Sequence, residues 1–145
     1  MRTLAFRLMP GSDLKAELER LSQAHGLRAG CIVTCVGSLS RARLRMPSGA
    51  GEAETFRTFA EPLEIVSLTG TLSPDGPHVH IALSRADGAC IGGHLVRGCI
   101  VNTTAELVIG ELPHLEFRRA LDAATGYAEL SVSPRPPAND PPASA

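Results

Sequence analysis

Three of the five histidines in the sequence, His78, His80 and His94, fall within 17 residues of one another, in the run GPHVHIALSRADGACIGGHLVR. The segment HVHIALS reads as a strand, so the His78 and His80 imidazoles project from one face while Val79, Ile81 and Leu83 point to the other, core-facing side. The face taken by His94 depends on the turn between the two segments. A two-residue Asp87-Gly88 loop would pair Ile81 with His94 and send that ring to the wrong side. A three-residue loop, Ala86-Asp87-Gly88 with Gly88 in the left-handed position of a bulge, pairs Arg85 with Ala89 and therefore His80 with His94. In that register all three rings share a face, with Cβ atoms of directly opposed residues about 4.5–5.5 Å apart and diagonal neighbours at about 7 Å. Gly92 and Gly93 leave room beside them. Three neutral imidazoles with a free position suit Zn²⁺, Fe²⁺ or another divalent transition metal, and hydrolytic chemistry is open to water held by such an ion. The plainer reading is of polar residues on an exposed strand face, paired with carboxylates or water.

Other residues offer weaker chemistry. Glu64 shares a strand face with Val66 and Leu68, and Glu106 with Thr104 and Val108, so each is a candidate half-buried carboxylate, catalytic base or fourth ligand. The structural alternative is an ion pair near a strand end, for example with Arg97. In ARLRM, the period of two sends Arg41, Arg43 and Arg45 to one side, a basic stripe able to hold phosphate or other anions. Charged residues also protect an edge strand from aggregation, and that is the preferred reading of the stripe. Phe6, Phe56, Phe59, Phe117 and Tyr127 are the only aromatics, too few for a base-stacking platform. His25 and His114 are expected to be exposed near element ends. Cys31, Cys35, Cys90 and Cys99 lack C-x-x-C spacing and are expected to be small buried hydrophobes.

The elements that must position these residues follow from periodicity. Residues 2–8 read as a first strand; Pro10-Gly11 turns the chain, and Ser12 is a helix N-cap. Leu14, Leu18 and Leu21 recur at helical spacing, with Gly26 as the stop, which predicts an amphipathic helix over 13–25. AGCIVTCVGSLS is a buried strand leading into ARLRM, and residues 47–61 are a loop or short edge strand. LEIVSLTGTL (63–72) is a strand closed by Ser73-Pro74-Asp75-Gly76, and TTAELVIGEL (103–112) is another. Residues 114–132 fit two short strands or a frayed helix. The fold class expected is α+β, a mostly antiparallel sheet packed with one main helix and shorter helical segments. A domain over 1–132 is followed by a Pro-rich tail, 133–145, whose composition predicts disorder.

At 145 residues the chain is the size of one domain. Apolar residues form 43% and charged residues 20%, and the net charge of −1 gives no global attraction to nucleic acid or anionic lipid. No apolar run approaches the roughly 18 residues that span a bilayer, and Arg2 and Arg7 interrupt the N-terminal run. A cytoplasmic protein that does not enter membranes is expected.

The run PLEIVSLTGTLSPDGPHVHIALSRADGACIGGHLVRGCIVNTTAELVI, with G-P-H-x-H, then G-G-H-L, then T-x-E, resembles the plants-and-prokaryotes-conserved (PPC) family over about residues 4–132. The resemblance implies a compact fold assembled as a homotrimer. Plant relatives are nuclear DNA-binding proteins whose DNA contact lies in an AT-hook outside this domain, and stand-alone bacterial members are often labelled candidate DNA-binding proteins. An AT-hook centres on Arg-Gly-Arg-Pro; this sequence offers only Pro134-Arg135-Pro136, so DNA binding is weakly supported. By resemblance to the bacterial members, His78, His80 and His94 bind zinc or a similar metal, near a subunit interface. The expected function is a trimeric metal-binding protein with a regulatory or DNA-associated role. The alternative is a metal-dependent hydrolase or lyase acting on a small molecule, with Glu64 or Glu106 moving protons.

Overall fold

The longest strand organises the molecule. In the computed structural model, which describes residues 1–49 and 52–135, β2 (Gly30–Met46) runs through the centre of a seven-stranded antiparallel sheet. The others in that sheet are β1 (Arg2–Leu8), β3 (Thr55–Phe59), β4 (Leu63–Ser73), β5 (Gly76–Ser84), β6 (Cys90–Leu95) and β7 (Ile100–Glu111). The order is β1-β7-β2-β4-β5-β6, with β3 added on β2. Beyond its bulges, β2 changes partners: its first part lies between β7 and β4, whereas Leu44 and Arg45 pair with β3 on one side and with Leu95 and His94 of β6 on the other. The path β2-β4-β5-β6 thereby closes back on β2. A bulge bends a strand and raises its twist, which is what closure requires.

The enclosed core is aliphatic, as the scarcity of aromatics demands. Leu39, Leu44, Leu63, Leu72, Val79, Leu83, Leu95 and Ile109 are fully buried. α1 (Leu14–Ala24) adds Leu14, Leu18 and Leu21 to this cluster. Its N-cap is Asp13, not Ser12: the carboxylate accepts from the Ala16 N–H at 3.1 Å and from the Gly98 N–H at 2.6 Å, which also ties the helix to the segment before β7. Gly26, at φ 59°, ends the helix as expected.

Two expectations are corrected. α1, eleven residues long, is the sole helix among the described residues, against nine strands, so the α+β class with shorter helical segments gives way to a mostly antiparallel β fold. Only residues 14–24 sustain a 3.6-residue apolar period; LEFRRAL is too short to hold a helix alone and instead forms β8 (Leu115–Leu121), paired with β9 (Ala128–Pro134) as a separate hairpin. The Arg41/Arg43/Arg45 segment is not an edge, since β3 and β6 flank its end. The expected disordered tail lies, from residue 136 onward, outside the described residues. Among the described residues no helix is long and apolar enough to cross a membrane.

Cys35 and Cys99 are buried, and burial pushes both thiols up to about 11; Cys31 is half-buried and Cys90 exposed. Close packing of β4 on β5 depends on Gly70, opposite Val79: a Cβ there would stand 2.7 Å from the Val79 Cα and closer still to the His78 carbonyl oxygen. Gly70→Ala is therefore expected to force the two strands apart and lower stability by about 1–3 kcal/mol, read as a shift in the urea midpoint; an unchanged midpoint would refute the tight approach.

Candidate metal centre

The turn between β5 and β6 decides the site. Arg85 N–H donates to the Ala89 carbonyl at 2.9 Å and Gly88 N–H to the Arg85 carbonyl at 2.9 Å, with Gly88 at φ 81°. Asp87 fixes the loop by accepting from the Ala89 N–H at 2.9 Å. This is the three-residue loop, and it sets His80 opposite His94. Val79, Ile81 and Leu83 occupy the core on the other face, each at 3% exposure or less. Burial of each contributes about 1.5–3 kcal/mol, so a one-residue slip that would scatter the histidines is opposed by the core.

The three rings converge. Centroid separations are 5.3 Å for His78–His80, 5.2 Å for His78–His94 and 5.4 Å for His80–His94. One nitrogen from each ring lies within 4.8 Å of the others. His78 and His94 are half-buried and His80 is exposed. Among the described residues Nδ1 of His94 is buried without any hydrogen-bond partner, a state that costs about 1–3 kcal/mol in an apolar setting. Burial, then the nearby Arg45, Lys15 and the other two rings, push the His94 imidazole down to about 4. Burial and then Arg119 lower His78 as well. Both shifts favour the neutral ring, whose lone pair can coordinate a metal. Imidazole nitrogens gathered on one face fit a borderline divalent ion such as zinc.

The surroundings come from neighbouring strands of the sheet and from the β8–β9 hairpin. A cavity of ≈ 450 Å³ beside His80 and His94 is lined by Arg45, Glu54, Gly92, Gly93 and Tyr127 among others. An adjoining cavity of ≈ 480 Å³ is lined by all three histidines with Arg45, Arg119, Tyr127 and Glu129. Arg45, opposite His94 on β2, pairs with Glu54. Arg119 reaches from β8 to donate to Thr71 Oγ1 at 2.8 Å, and Thr71 is the β4 residue opposite His78. Gly92 and Gly93 have no room for side chains, since a Cβ on either would lie 2.7–2.8 Å from a carbonyl oxygen across the sheet.

The remaining sequence candidates are scattered. Glu64 is exposed on β4 opposite Ser84, four residues along β5 from His80, and Glu106 is exposed on β7 opposite Arg7. Neither lines the histidine cavities. Arg97 pairs with Glu19 instead. Of the arginine stripe, Arg45 joins the site, Arg43 stacks over Phe56 with its guanidinium carbon 4.4 Å from the ring centroid, and Arg41 is exposed. His25 and His114 are exposed, His25 against Phe6 at 5.3 Å. Sequence reasoning missed Arg119, Glu129 and Glu54. The one usable signal was that the period of two puts Arg119 on the same strand face as the buried Phe117.

Comparison with known proteins places this arrangement. The model of the Plants and Prokaryotes Conserved (PCC) domain matches residues 1–113. The chain belongs to this family. It is the one whose resemblance, under the abbreviation PPC, was visible in the G-P-H-x-H and G-G-H-L motifs. The PCC chain is 45% identical over 134 residues to the bifunctional protein GlmU of a Synechococcus strain, covering 92% of this chain and 21% of that protein. It thus spans about a fifth of the length of the curated relatives it matches first. A hypothetical protein from Salmonella enterica is 43% identical with TM-score 0.86, covering 92% of this chain and 94% of that one. A protein from Archaeoglobus fulgidus described as metal-containing is 28% identical with TM-score 0.73, covering 89% and 92%.

His94→Phe keeps the ring volume and removes the orphaned nitrogen. In chelator, the variant is expected to be at least as stable as the wild type, by up to about 1–3 kcal/mol, while the rise in melting temperature that added zinc gives the wild type disappears. A variant less stable than wild type in chelator would mean that Nδ1 has a partner.

Proposed function

We propose that this PCC-domain protein is a cytoplasmic homotrimer that holds zinc or another divalent transition metal on His78, His80 and His94, in a regulatory role with DNA as a partner. The observation that carries the metal reading is the convergence of one nitrogen from each of the three rings to within 4.8 Å of one another. The metal-containing description of the Archaeoglobus neighbour supports it. A cytoplasmic setting accords with four unpaired cysteines. Trimer formation is supported by Val33, Val36 and Val66 on β2 and β4, each more than half exposed, which are apolar surface for a neighbouring subunit to cover. The DNA role is supported by the Arg41/Arg43/Arg45 stripe and by solved neighbours described as DNA-binding candidates, which at 23% and 19% identity share the fold alone. Two of the three arginines are engaged by Phe56 and Glu54, so this is the weakest part of the reading.

One observation favours the second reading, a metal-dependent hydrolase or lyase: the cavities open directly on the histidines and have the volume of small-molecule sites. When bound, the metal would supply Lewis-acid polarisation of an oxygen. In that reading Glu54 and Glu129 are the carboxylates at the cavity wall, and Glu64 and Glu106 would have to act from elsewhere on the sheet.

Metal content by mass spectrometry of the purified protein tests the central claim. Near-stoichiometric metal is expected in the wild type and loss of it in His78→Ala/His80→Ala/His94→Ala; a wild type that stays empty after zinc or iron supplementation would refute the site. Light scattering is expected to give three times the chain mass, falling to one on Val36→Glu/Val66→Glu. Any DNA binding should weaken steeply between 50 and 200 mM salt, as phosphate contacts require; salt-insensitive binding would not be the stripe's.

A further inference from the structure

The electrostatics of the cavity carry the reading further. Every candidate metal ligand is an imidazole. Among the described residues no carboxylate belongs to the ligand cluster. A divalent ion held there keeps its full charge, whereas a carboxylate in the ligand set would offset part of it. The charged side chains of the wall do not offset it either: Arg45 is paired with Glu54, and the other two that line the cavity, Arg119 and Glu129, are opposite in charge. Two cations and two carboxylates sum to zero, so the charge of the ion is left over.

Arg119 is the group equipped to use that excess. Its backbone N–H is committed to Asp75 at 2.8 Å, which anchors β8 over the β4–β5 turn. Among the described residues its guanidinium makes one hydrogen bond, from Nη2 to the neutral Thr71 hydroxyl. Among the described residues it has no carboxylate within ion-pair distance, although the other arginine on the same strand, Arg118, pairs with both Asp75 and Glu116. A guanidinium has five N–H donors in a planar fork that matches two oxygens of a carboxylate or phosphate. Here that fork lines the cavity on which all three histidines open, with Tyr127 at the same wall and the bare backbone of Gly92 and Gly93 lining the adjoining space.

Resting on the metal reading above, we propose that the site takes a small oxyanion ligand, a carboxylate or phosphate group, clamped between the histidine-held metal and the Arg119 guanidinium. The ligand's negative charge offsets the ion, and its second oxygen accepts from the Arg119 fork. Anion recognition is thus assigned to β8, an element outside the hairpin that carries the histidines.

Isothermal titration of the full-length, zinc-loaded protein with inorganic phosphate and, separately, with propionate tests this, with zinc content measured on the same samples. Binding of at least one probe is expected, weakened about tenfold or more in Arg119→Gln at unchanged zinc content, partly restored in Arg119→Lys, and unaffected in the control Arg20→Gln, on the exposed side of α1. The probe that binds more tightly identifies the oxyanion as phosphate or carboxylate. Zinc present with neither probe bound, or with binding indifferent to Arg119→Gln, overturns the inference and leaves the metal site standing. Absence of zinc overturns the metal reading and the clamp together. Circular dichroism of the Arg119 variants separates lost recognition from lost folding, and Arg119→Lys carries the test if Arg119→Gln does not fold.

Discussion

One extra residue in the turn between β5 and β6 governs the chemistry of this protein. Side chains alternate across a strand, so adding or removing a single loop residue moves every side chain of β6 to the opposite face. Gly88 supplies the positive φ that the three-residue loop needs, and Asp87 holds it by bonding to the Ala89 N–H. With that loop His94 meets His80; with a shorter one it would meet the core. The apolar face of the same hairpin enforces the choice, because Val79, Ile81 and Leu83 must all stay buried. The register that satisfies the core is also the one that gathers the imidazoles, so stability and site geometry are not in competition along this hairpin.

They compete at one atom. His94 is half-buried with Nδ1 unpartnered, and the cationic neighbours Arg45 and Lys15 make its protonation costlier still. A ring in that position gains nothing for the fold by itself. Leucine or phenylalanine there would pack on the same sheet without an unsatisfied nitrogen. The arrangement makes physical sense when a lone pair at that spot has an electropositive partner, which is why the weakest feature of the fold is the strongest argument for the site.

The hairpin was legible in the sequence because its determinants are local: H-x-H fixes a face, and Ala86-Asp87-Gly88 offers one loop in which the third histidine joins it. α1 was legible for the same reason, from Leu14, Leu18 and Leu21. The fold class was not. LEFRRAL carries both a helical and a strand pattern, and only its pairing with β9, through Phe117 opposite Val132, resolves it. Arg119 was hidden by that ambiguity, since its place beside His78 depends on how the β8–β9 hairpin seats against Thr71 and Asp75, some 44–48 residues earlier in the chain. Glu64 and Glu106 show the converse: an acidic residue in an apolar strand pattern looked half-buried, but each lies on the outer face of a strand with solvent above it. The Arg41/Arg43/Arg45 stripe was read as an edge, and closure of β6 onto β2 is a long-range event that no local pattern records.

That closure has a functional consequence. Arg45 belongs to a strand that would otherwise continue as a flat basic surface, and pairing with β6 turns it toward His94 and Glu54. Arg43 is drawn onto Phe56 by β3. Two arginines that a sequence offers as a phosphate-tracking row are thereby spent on local partners, whereas Arg119, from β8, retains most of its donors and lines a cavity. Recognition of an extended polyanion needs many exposed cations on one face; recognition of a small ligand needs one well-aimed fork beside a concave site. The distribution of free and committed guanidinium groups in this PCC domain matches the second requirement better than the first.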